Sequence, residues 1–186
     1  FSAAVLIAVL IAIAIDRFQL VHRALYPIVV ATQAIPLVAL APLLLIWFGH
    51  GLLPKVVMVA LISFFPIVVS LVDGLRSADR EMLDLLRTMG ASEWQQFRLV
   101  KVPSALPSFF SGAKIGMAIA VIGAVIGESA GSSAGLGHAI SLYGASLKTD
   151  LVFACVLVLA LMAIALFGLI ALLERLVMPW RKWVVE

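Results

Sequence analysis

The chain has 186 residues, of which 64% are hydrophobic and 12% are charged, and its formal net charge is +3. Soluble domains carry about 25% charged residues, so this composition excludes an ordinary water-soluble enzyme and predicts one domain, residues 1–186, embedded in a bilayer. The positive charge does not indicate a nucleic-acid partner, because the basic residues are spread over several segments and form no single face.

Five apolar runs are predicted to be membrane helices, since about 20 apolar residues span the ~30 Å hydrocarbon core of a bilayer. They cover residues 1–15, 28–48, 56–72, 106–127 and 151–173. The first run is short and begins without a polar flank, so we expect a truncated helix there. Pro36 and Pro42 in the second run and Pro66 in the third predict kinks, which are tolerated where neighbouring helices or a water-lined cavity satisfy the freed carbonyls.

Lys and Arg indicate the orientation, because five crossings place alternate loops on alternate sides. One set of loops holds eleven basic residues, namely Arg17, Arg23, Arg76, Arg80, Arg87, Arg98, Lys101, Lys114, Arg175, Arg181 and Lys182. The other set holds only Lys55 and Lys148. The positive-inside rule then predicts a multi-pass membrane protein with residues 73–104 and the C-terminus in the cytoplasm.

Aromatic residues at the ends of the runs agree with this orientation, because such rings favour the membrane interface. Tyr26, Trp180 and Trp183 fall at inner boundaries, and Trp47 and Phe48 fall at an outer one.

Residues 77–103 are predicted to form two short cytoplasmic helices. Ser77 is expected to cap the first helix and Gly90 to end it. The second is expected to begin with a capping box at residues 92–95 and to be limited by Pro103. Trp94 and Phe97 should share one face of it.

The first of these helices carries an apolar stripe on an otherwise charged surface. Its members lie at positions i, i+3, i+4 and i+7, and they are Met82, Leu85, Leu86 and Met89. Such a stripe needs a cover. The residues alone leave two alternatives open: the inner membrane surface or the chain's own helices, and a partner protein with a groove for a helix.

Residues 84–103 resemble the "EAA" signature of binding-protein-dependent ABC permeases, which reads E-A-A, three residues, Gly, nine residues, I-x-L-P. Here residues 84–86 are Asp-Leu-Leu, Gly90 is the glycine and residues 100–103 are Val-Lys-Val-Pro. The spacing agrees throughout. The substitutions keep the sign of the charge and the apolar character.

The resemblance extends over residues 18–180 and is to the nitrate, sulfonate and taurine branch of these permeases, which also includes importers of thiamine's pyrimidine precursor. The segments that carry it are residues 31–36, 39–42, 47–49, 63–66 and 134–137. Residues 131–137 and 149–154 are more similar to the pyrimidine-precursor members.

This resemblance implies the all-α core of a type I importer permease, with cytoplasmic coupling helices and no enzymatic activity of its own. It implies as partners a separate ATPase, a periplasmic or lipid-anchored solute-binding protein and a second permease copy, most simply in a homodimer. The chain contains no G-x-x-x-x-G-K-[ST] pattern, so ATP and Mg²⁺ are expected on the ATPase and no cofactor on this chain. The implied ATPase-docking residues are Met82, Asp84, Leu85, Leu86, Met89, Gly90, Ala91 and Ser92. The implied substrate is a small organic anion or a thiamine pyrimidine precursor.

Lys114 falls inside the fourth predicted span, and Glu128 directly follows that span. Glu128 has two readings: it anchors the loop at residues 129–133, or it forms a gate or substrate contact near the outer mouth. Lys114 is expected to extend its long side chain towards the inner interface.

Hydroxyl and amide groups in the spans are further candidates for the pathway. Thr32 and Gln33 either line it or bond across helices. Ser63 and Ser70 are interpreted first as interhelical hydrogen-bonding residues and second as pathway residues.

The outer segment, residues 130–150, is rich in Gly and Ser and is predicted to contain a short helix that receives the solute-binding protein. His138 in it is interpreted as solvated. His22 and His50 lack metal-ligand spacing, so no metal site is predicted.

Two other classes compete with this interpretation. An ATP-independent secondary transporter or channel would place ionisable residues deep in the bilayer, where this sequence has few. A membrane enzyme would need a nucleophile, base or metal set on one side of the membrane, and the sequence shows none.

Overall fold

The computed structural model describes residues 1–179, and within that range every regular element is helical, which confirms the all-α prediction. The α-helices are α1 (Ser2–Arg17), α2 (Gln19–Ala31), α3 (Leu37–Phe48), α4 (Leu52–Arg76), α5 (Arg80–Thr88), α6 (Glu93–Gln96), α7 (Val102–Ser129), α8 (Leu136–Ala145) and α9 (Thr149–Val177). A 3₁₀ turn, Thr32–Ala34, follows α2, and a π-helical segment, Phe97–Lys101, joins α6 to α7. Trp180, Arg181, Lys182 and Trp183, which entered the orientation argument, lie outside the described residues.

Three helices of the described part are long and apolar enough to cross a membrane. They are α4 with 25 residues, the continuous helix Glu93–Ser129 with 37 residues and α9 with 29 residues. Helices α2 and α3 count as a fourth span if the bent pair is one crossing. Helix α1 has 16 residues, which at 1.5 Å per residue is about 24 Å and short of the ~30 Å core. Helices therefore occur in all five predicted runs, and in three of these runs the helix is long enough to span a membrane.

The second predicted run, residues 28–48, is not one kinked helix. Helix α2 ends at Ala31, and the chain bends by 103° before α3 begins. The cause is Pro36, because the residue before a proline avoids helical angles, and Ile35 has φ −79° and ψ 122°. Pro42 and Pro66, in contrast, lie within α3 and α4, which continue through them.

Helices α4 and α7 make the closest contact in the chain, and glycines on α7 allow it. A Cβ atom on Gly112 would lie 2.6 Å from the carbonyl oxygen of Pro66, and one on Gly116 would lie 3.0 Å from that of Ser63. Gly123 faces Ile62 in the same way. Small residues let membrane helices pack backbone to backbone, so α4 and α7 form the rigid centre of the fold.

Helix α1 packs on the other side of this centre through small side chains. Ala4, Ala8 and Ala12 recur every four residues and are buried, as is Ile15. Ala8, Ala12 and Ile15 join an apolar cluster whose α4 members include Ile67, Val68 and Leu71. The C-terminal end of α1 is thereby fixed beside the end of α4 that leads into α5.

Candidate coupling surface and polar sites

Helix α5 begins with a side-chain cap. The Asp79 carboxylate accepts a hydrogen bond from the backbone N–H of Glu81 at 2.9 Å. Ser77, the predicted cap, instead donates its hydroxyl to the Gly74 carbonyl at 2.9 Å, where it closes the end of α4. The prediction of Ser77 was wrong because Asp79 has the extended backbone of an N-cap, φ −59° and ψ 120°, and a carboxylate is at least as good a cap as a hydroxyl.

Helix α5 ends as the sequence predicts, at Gly90. Gly90 has φ +79°, its N–H bonds to the Arg87 carbonyl at 3.0 Å, and the Ala91 N–H bonds to the Leu86 carbonyl at 2.9 Å. This pair of bonds is the Schellman motif. A Cβ on Gly90 would meet nothing within 4 Å, so glycine is favoured there by backbone conformation alone.

The predicted stripe on α5 is largely uncovered. Met82, Leu85 and Met89 are 52%, 59% and 74% exposed. Leu86 is half-buried, on the side facing the rest of the chain. Asp84 lies outside the stripe and pairs with Arg87 at 3.0 Å, with both side chains exposed. Three apolar side chains, hereafter the α5 stripe (Met82, Leu85 and Met89), therefore form a continuous surface without cover among the described residues.

The turn between α5 and α6 is rigidly built. The Ser92 N–H donates to Gln95 Oε1 at 2.7 Å, and the Gln95 N–H donates to Ser92 Oγ at 3.3 Å, which confirms the capping box. Ala91 is half-buried and Ser92 exposed. Trp94 and Phe97 stack with ring centroids 5.6 Å apart, as the shared face predicts.

Pro103 does not limit the second coupling helix. The chain is helical without interruption from Glu93 to Ser129. The wider π-helical turn, Phe97–Lys101, directly precedes the proline, which then occupies the first turn of α7. A missing N–H has its smallest cost in a first turn, so the sequence rule for a proline boundary fails here and α6 is joined to α7.

Two ion pairs tie the coupling segment to the end of α1. Lys101 Nζ lies 2.8 Å and 3.0 Å from the two carboxylate oxygens of Asp16, and the Arg17 guanidinium pairs with Glu93. The Asp16 side chain is only 7% exposed and that of Lys101 28%. No sequence rule could have found these pairs, because the partners lie more than 70 residues apart and meet only through packing of α1 on α4.

A third ion pair lies within the membrane-spanning part. The Lys114 ammonium pairs with Glu174 of α9 and stands 5.9 Å from the centre of the Phe167 ring. Glu174 lies three residues before the C-terminal end of α9, and the extension of the Lys114 side chain towards the inner interface stays a prediction. The place of Lys114 on α7 between Gly112 and Gly116 puts it level with the middle of α4.

Glu128 lies at the N-terminus of α8. Its Oε2 accepts a hydrogen bond from the backbone N–H of Gly137 at 2.8 Å, and Ser129 Oγ donates to the Gly137 carbonyl at 3.1 Å. A carboxylate at a helix N-terminus is favoured by the helix dipole. A Cβ on Gly135, which has φ +118°, would overlap this carboxylate. The geometry favours the loop-anchoring reading of Glu128, and it places the predicted short outer helix at α8.

The other candidate pathway residues are not brought together. Thr32 donates its hydroxyl to the Val29 carbonyl at 2.6 Å, and Gln33 is exposed in the 3₁₀ turn. Ser63 is fully buried and donates to the Val59 carbonyl of its own helix at 2.7 Å. The predicted interhelical bond of Ser63 was wrong, because a serine within a helix satisfies its hydroxyl most readily on the preceding turn.

Comparison with known proteins gives the family. The family model described as "binding-protein-dependent transport system inner membrane component" matches residues 4–179, so the chain belongs to this family of importer permeases. Taurine, sulfonate and nitrate permeases are among its relatives, which confirms the resemblance to that branch.

Three curated relatives illustrate the range of similarity. The formylaminopyrimidine transport permease protein ThiX of Halalkalibacterium halodurans is 40% identical over 97% of this chain and 72% of its own length. The riboflavin transport system permease protein RibX of Chloroflexus aurantiacus is 41% identical over 86% of this chain and 59% of its own length. For the taurine permease TauC of Escherichia coli the values are 34%, 96% and 65%. The chain thus spans about three fifths to three quarters of these relatives.

A solved structure has the same fold. The crystal structure of an amino acid ABC transporter with histidines matches with a TM-score of 0.69, covering 92% of this chain and 86% of that chain at 16% identity.

Proposed function

We propose that this chain forms the substrate pathway of an ATP-driven importer and receives its energy from a separate ATPase that docks on the α5 stripe. The observation that carries this proposal is the exposure of Met82, Leu85 and Met89 on one side of a helix that lies beyond the apolar part of α4. Burying one Leu or Met fully stabilises a contact by about 1.5–3 kcal/mol. Covering three half-exposed ones contributes on the order of 3 kcal/mol.

The charges of α5 favour a protein partner over the lipid surface. Interfacial helices are rich in Lys and Arg on the polar face, which attract anionic lipids. Helix α5 instead carries two basic residues, Arg80 and Arg87, and two acidic ones, Glu81 and Asp84. A helix with balanced charges and an apolar stripe suits a groove in another protein.

A movement of α5 has a defined mechanical route into the membrane helices. The Schellman motif and the capping box hold α5 against α6, and α6 continues into α7 as one helix. Helix α7 contacts α4 through backbone at Gly112 and Gly116, so it cannot slide without moving α4. The pair Lys101–Asp16 carries the same movement to α1.

Further proposals follow for the sides of the membrane that the segments face and for the proteins that they meet. Residues 73–104 and the C-terminus face the cytoplasm, as the distribution of Lys and Arg indicates. A solute-binding protein meets the outer segment at α8, and a second copy completes the pathway. ATP hydrolysis belongs to the ATPase. The substrate is a pyrimidine-type heterocycle or a small organic anion, and the relatives ThiX and RibX, at 40% and 41% identity, are named for a formylaminopyrimidine and for riboflavin.

The test compares the same replacement on two faces of α5. Leu85→Gln removes a member of the stripe, and Arg80→Gln alters the charged face. Each variant is reconstituted in liposomes with the ATPase that co-purifies with the wild-type protein. We expect Leu85→Gln to weaken ATPase binding and ATP-dependent uptake about tenfold, which corresponds to about 1.4 kcal/mol, and Arg80→Gln to change either by less than about twofold. Equal effects of the two variants would contradict docking on the stripe.

One observation favours the rival class of ATP-independent carriers. The Lys114–Glu174 pair joins two helices that are long and apolar enough to span a membrane, and ion-coupled carriers hold ionisable residues within their spans. Liposomes that contain the permease alone separate the two proposals. Uptake driven by a proton gradient without any ATPase would establish the carrier, and we expect none.

A further inference from the structure

A polar cleft lies between α4 and α7, next to their glycine contacts. It has a volume of about 320 Å³ and is lined by Ser70 and Asp73 of α4 and by Pro107, Ser108 and Ser111 of α7. Each pair of polar residues is three positions apart, so the two pairs project from one face of each helix. Four hydrogen-bonding side chains therefore converge where the rest of the α4–α7 contact is apolar or glycine.

The polar groups of this cleft have no partners. Ser63, Ser77 and Thr32 each donate to a carbonyl of the preceding turn, as hydroxyls on helices commonly do. Among residues 1–179, in contrast, no side-chain hydrogen bond or ion pair involves Ser70, Asp73, Ser108 or Ser111. Ser70 and Ser108 are half-buried and Asp73 and Ser111 are exposed, so all four side chains can form hydrogen bonds with a solute that enters the cleft.

The chemistry of the lining residues selects the occupant. Hydroxyls both donate and accept hydrogen bonds, whereas a carboxylate only accepts. No Lys or Arg is among the lining residues of this cleft. An anion would therefore meet the Asp73 charge without a compensating cation in the lining, and like charges repel each other. A solute with N–H groups and no negative charge would be held by all four side chains.

We propose that this cleft is a solute site on the transport pathway, and that it takes a neutral or cationic polar heterocycle with N–H donors in preference to an organic anion. The inference rests on the proposed transport function and makes it more specific, because it chooses between the two substrate classes left open above. Its volume is within the range of about 300–1,000 Å³ found for small-molecule sites.

Equilibrium dialysis of the purified protein in nanodiscs, without ATP, tests this directly. The probes are radiolabelled 4-aminopyrimidine and methanesulfonate. We expect saturable binding of 4-aminopyrimidine at least tenfold tighter than that of methanesulfonate. Asp73→Asn should weaken aminopyrimidine binding at least fivefold and reduce the discrimination against methanesulfonate, and Ser108→Ala combined with Ser111→Ala should also weaken aminopyrimidine binding. Ser104→Ala is the matched control, because Ser104 is an exposed serine of α7 outside the cleft, and it should bind like the wild type.

Several results would overturn the proposal. They are equal or tighter binding of methanesulfonate, no saturable binding of either probe, and binding that is unchanged in Asp73→Asn. A disulfide between two copies of Ser111→Cys in a Cys155→Ser background, formed equally with and without 4-aminopyrimidine, would identify the cleft as a contact between copies. Because the dialysis needs no ATPase, its failure leaves the coupling experiment with Leu85→Gln unaffected, and the converse also holds.

Discussion

Apolar side chains are buried where α4 contacts α7, whereas they are exposed on the surface of α5. In the first region, Ile62, Ile67 and Val68 are at most 4% exposed because glycines on α7 bring the backbones together. In the second region, the α5 stripe is more than half exposed, although its helix has caps at both ends and a fixed place. A helix that is well formed and yet uncovered indicates a surface that another molecule completes.

Helix α9 shows why exposure alone is not sufficient for this argument. Only 6% of its most apolar window is buried within the chain, which is far less than in α4, but lipid covers such a surface without any protein partner. Helix α5 has no such cover, because half of its charged residues are acidic and its sequence is too short to span. An exposed leucine therefore indicates contact with lipid in α9 and contact with a protein partner in α5.

The largest expected effect on the packed region comes from breaking the Lys114–Glu174 pair. Lys114→Met removes the ammonium group that pairs with the Glu174 carboxylate, and these side chains are only 22% and 10% exposed. Removal of one member of a buried pair costs about 3–5 kcal/mol, so we expect a loss of roughly 3 kcal/mol in the free energy of unfolding, measured by SDS titration in mixed micelles. Lys114→Met combined with Glu174→Met should recover a substantial part of this loss, and a double variant as unstable as Lys114→Met would contradict the pairing.

The next largest effect is expected at the glycine contact between α4 and α7. A methyl group at residue 112 would lie 2.6 Å from a backbone oxygen and 2.7 Å from Ser70 Cβ, and overpacking of this kind costs about 1–3 kcal/mol. Gly112→Ala should therefore lower the unfolding free energy by that amount in the same titration. Gly168→Ala is the control, because a methyl there meets nothing within 4 Å. A loss of equal size in Gly168→Ala would show that the contact between α4 and α7 is not the cause of the destabilisation.

A smaller effect is expected at the link between the two regions. The Lys101–Asp16 pair is partly exposed on the Lys side, so its coupling energy should be about 1 kcal/mol. A double-mutant cycle of Asp16→Asn and Lys101→Met measures it. An interaction energy of zero would show that the coupling segment is not held by α1.

An effect of similar size is expected at the end of α5, where two substitutions separate backbone conformation from side-chain space. Gly90→Val places a β-branched residue at φ +79°, which costs about 1–2 kcal/mol, whereas Asn tolerates this region. Gly90→Val should reduce ATP-dependent uptake several-fold, and Gly90→Asn should remain close to the wild type. If both variants lose uptake equally, the loss is caused by the added side chain at residue 90 and not by the backbone angle.

Much of the fold follows from local pattern. The apolar runs predict α4, α7 and α9, and the spacing of Met82, Leu85 and Met89 together with Gly90 predicts α5 and its end. These features depend on neighbours in sequence. The bend before Pro36 was predicted only as a kink, because a sequence rule for proline gives the place of a break and not its angle.

The errors all involve contacts between distant residues or competition between near ones. Glu174 was not predicted as the partner of Lys114, because it is 60 residues away in sequence and reaches it only through the packing of α9 on α7. Pro103 was taken as a boundary because the π-helical turn that accommodates it leaves no signature in residue types. Of the candidate site, the stripe was predictable, whereas the polar cleft needed the register of α4 on α7.

Labelling of residue 89 tests the central claim most directly. Met89→Cys in a Cys155→Ser background is exposed to a maleimide in nanodiscs, first alone and then with the ATPase, and Arg80→Cys on the charged face serves as the control. If the α5 stripe docks on the ATPase, labelling at residue 89 will be fast in the permease alone and will slow at least tenfold on addition of the ATPase, with a much smaller change at residue 80. Labelling at residue 89 that is already slow in lipid alone, or that is unchanged by a bound ATPase, would contradict the claim.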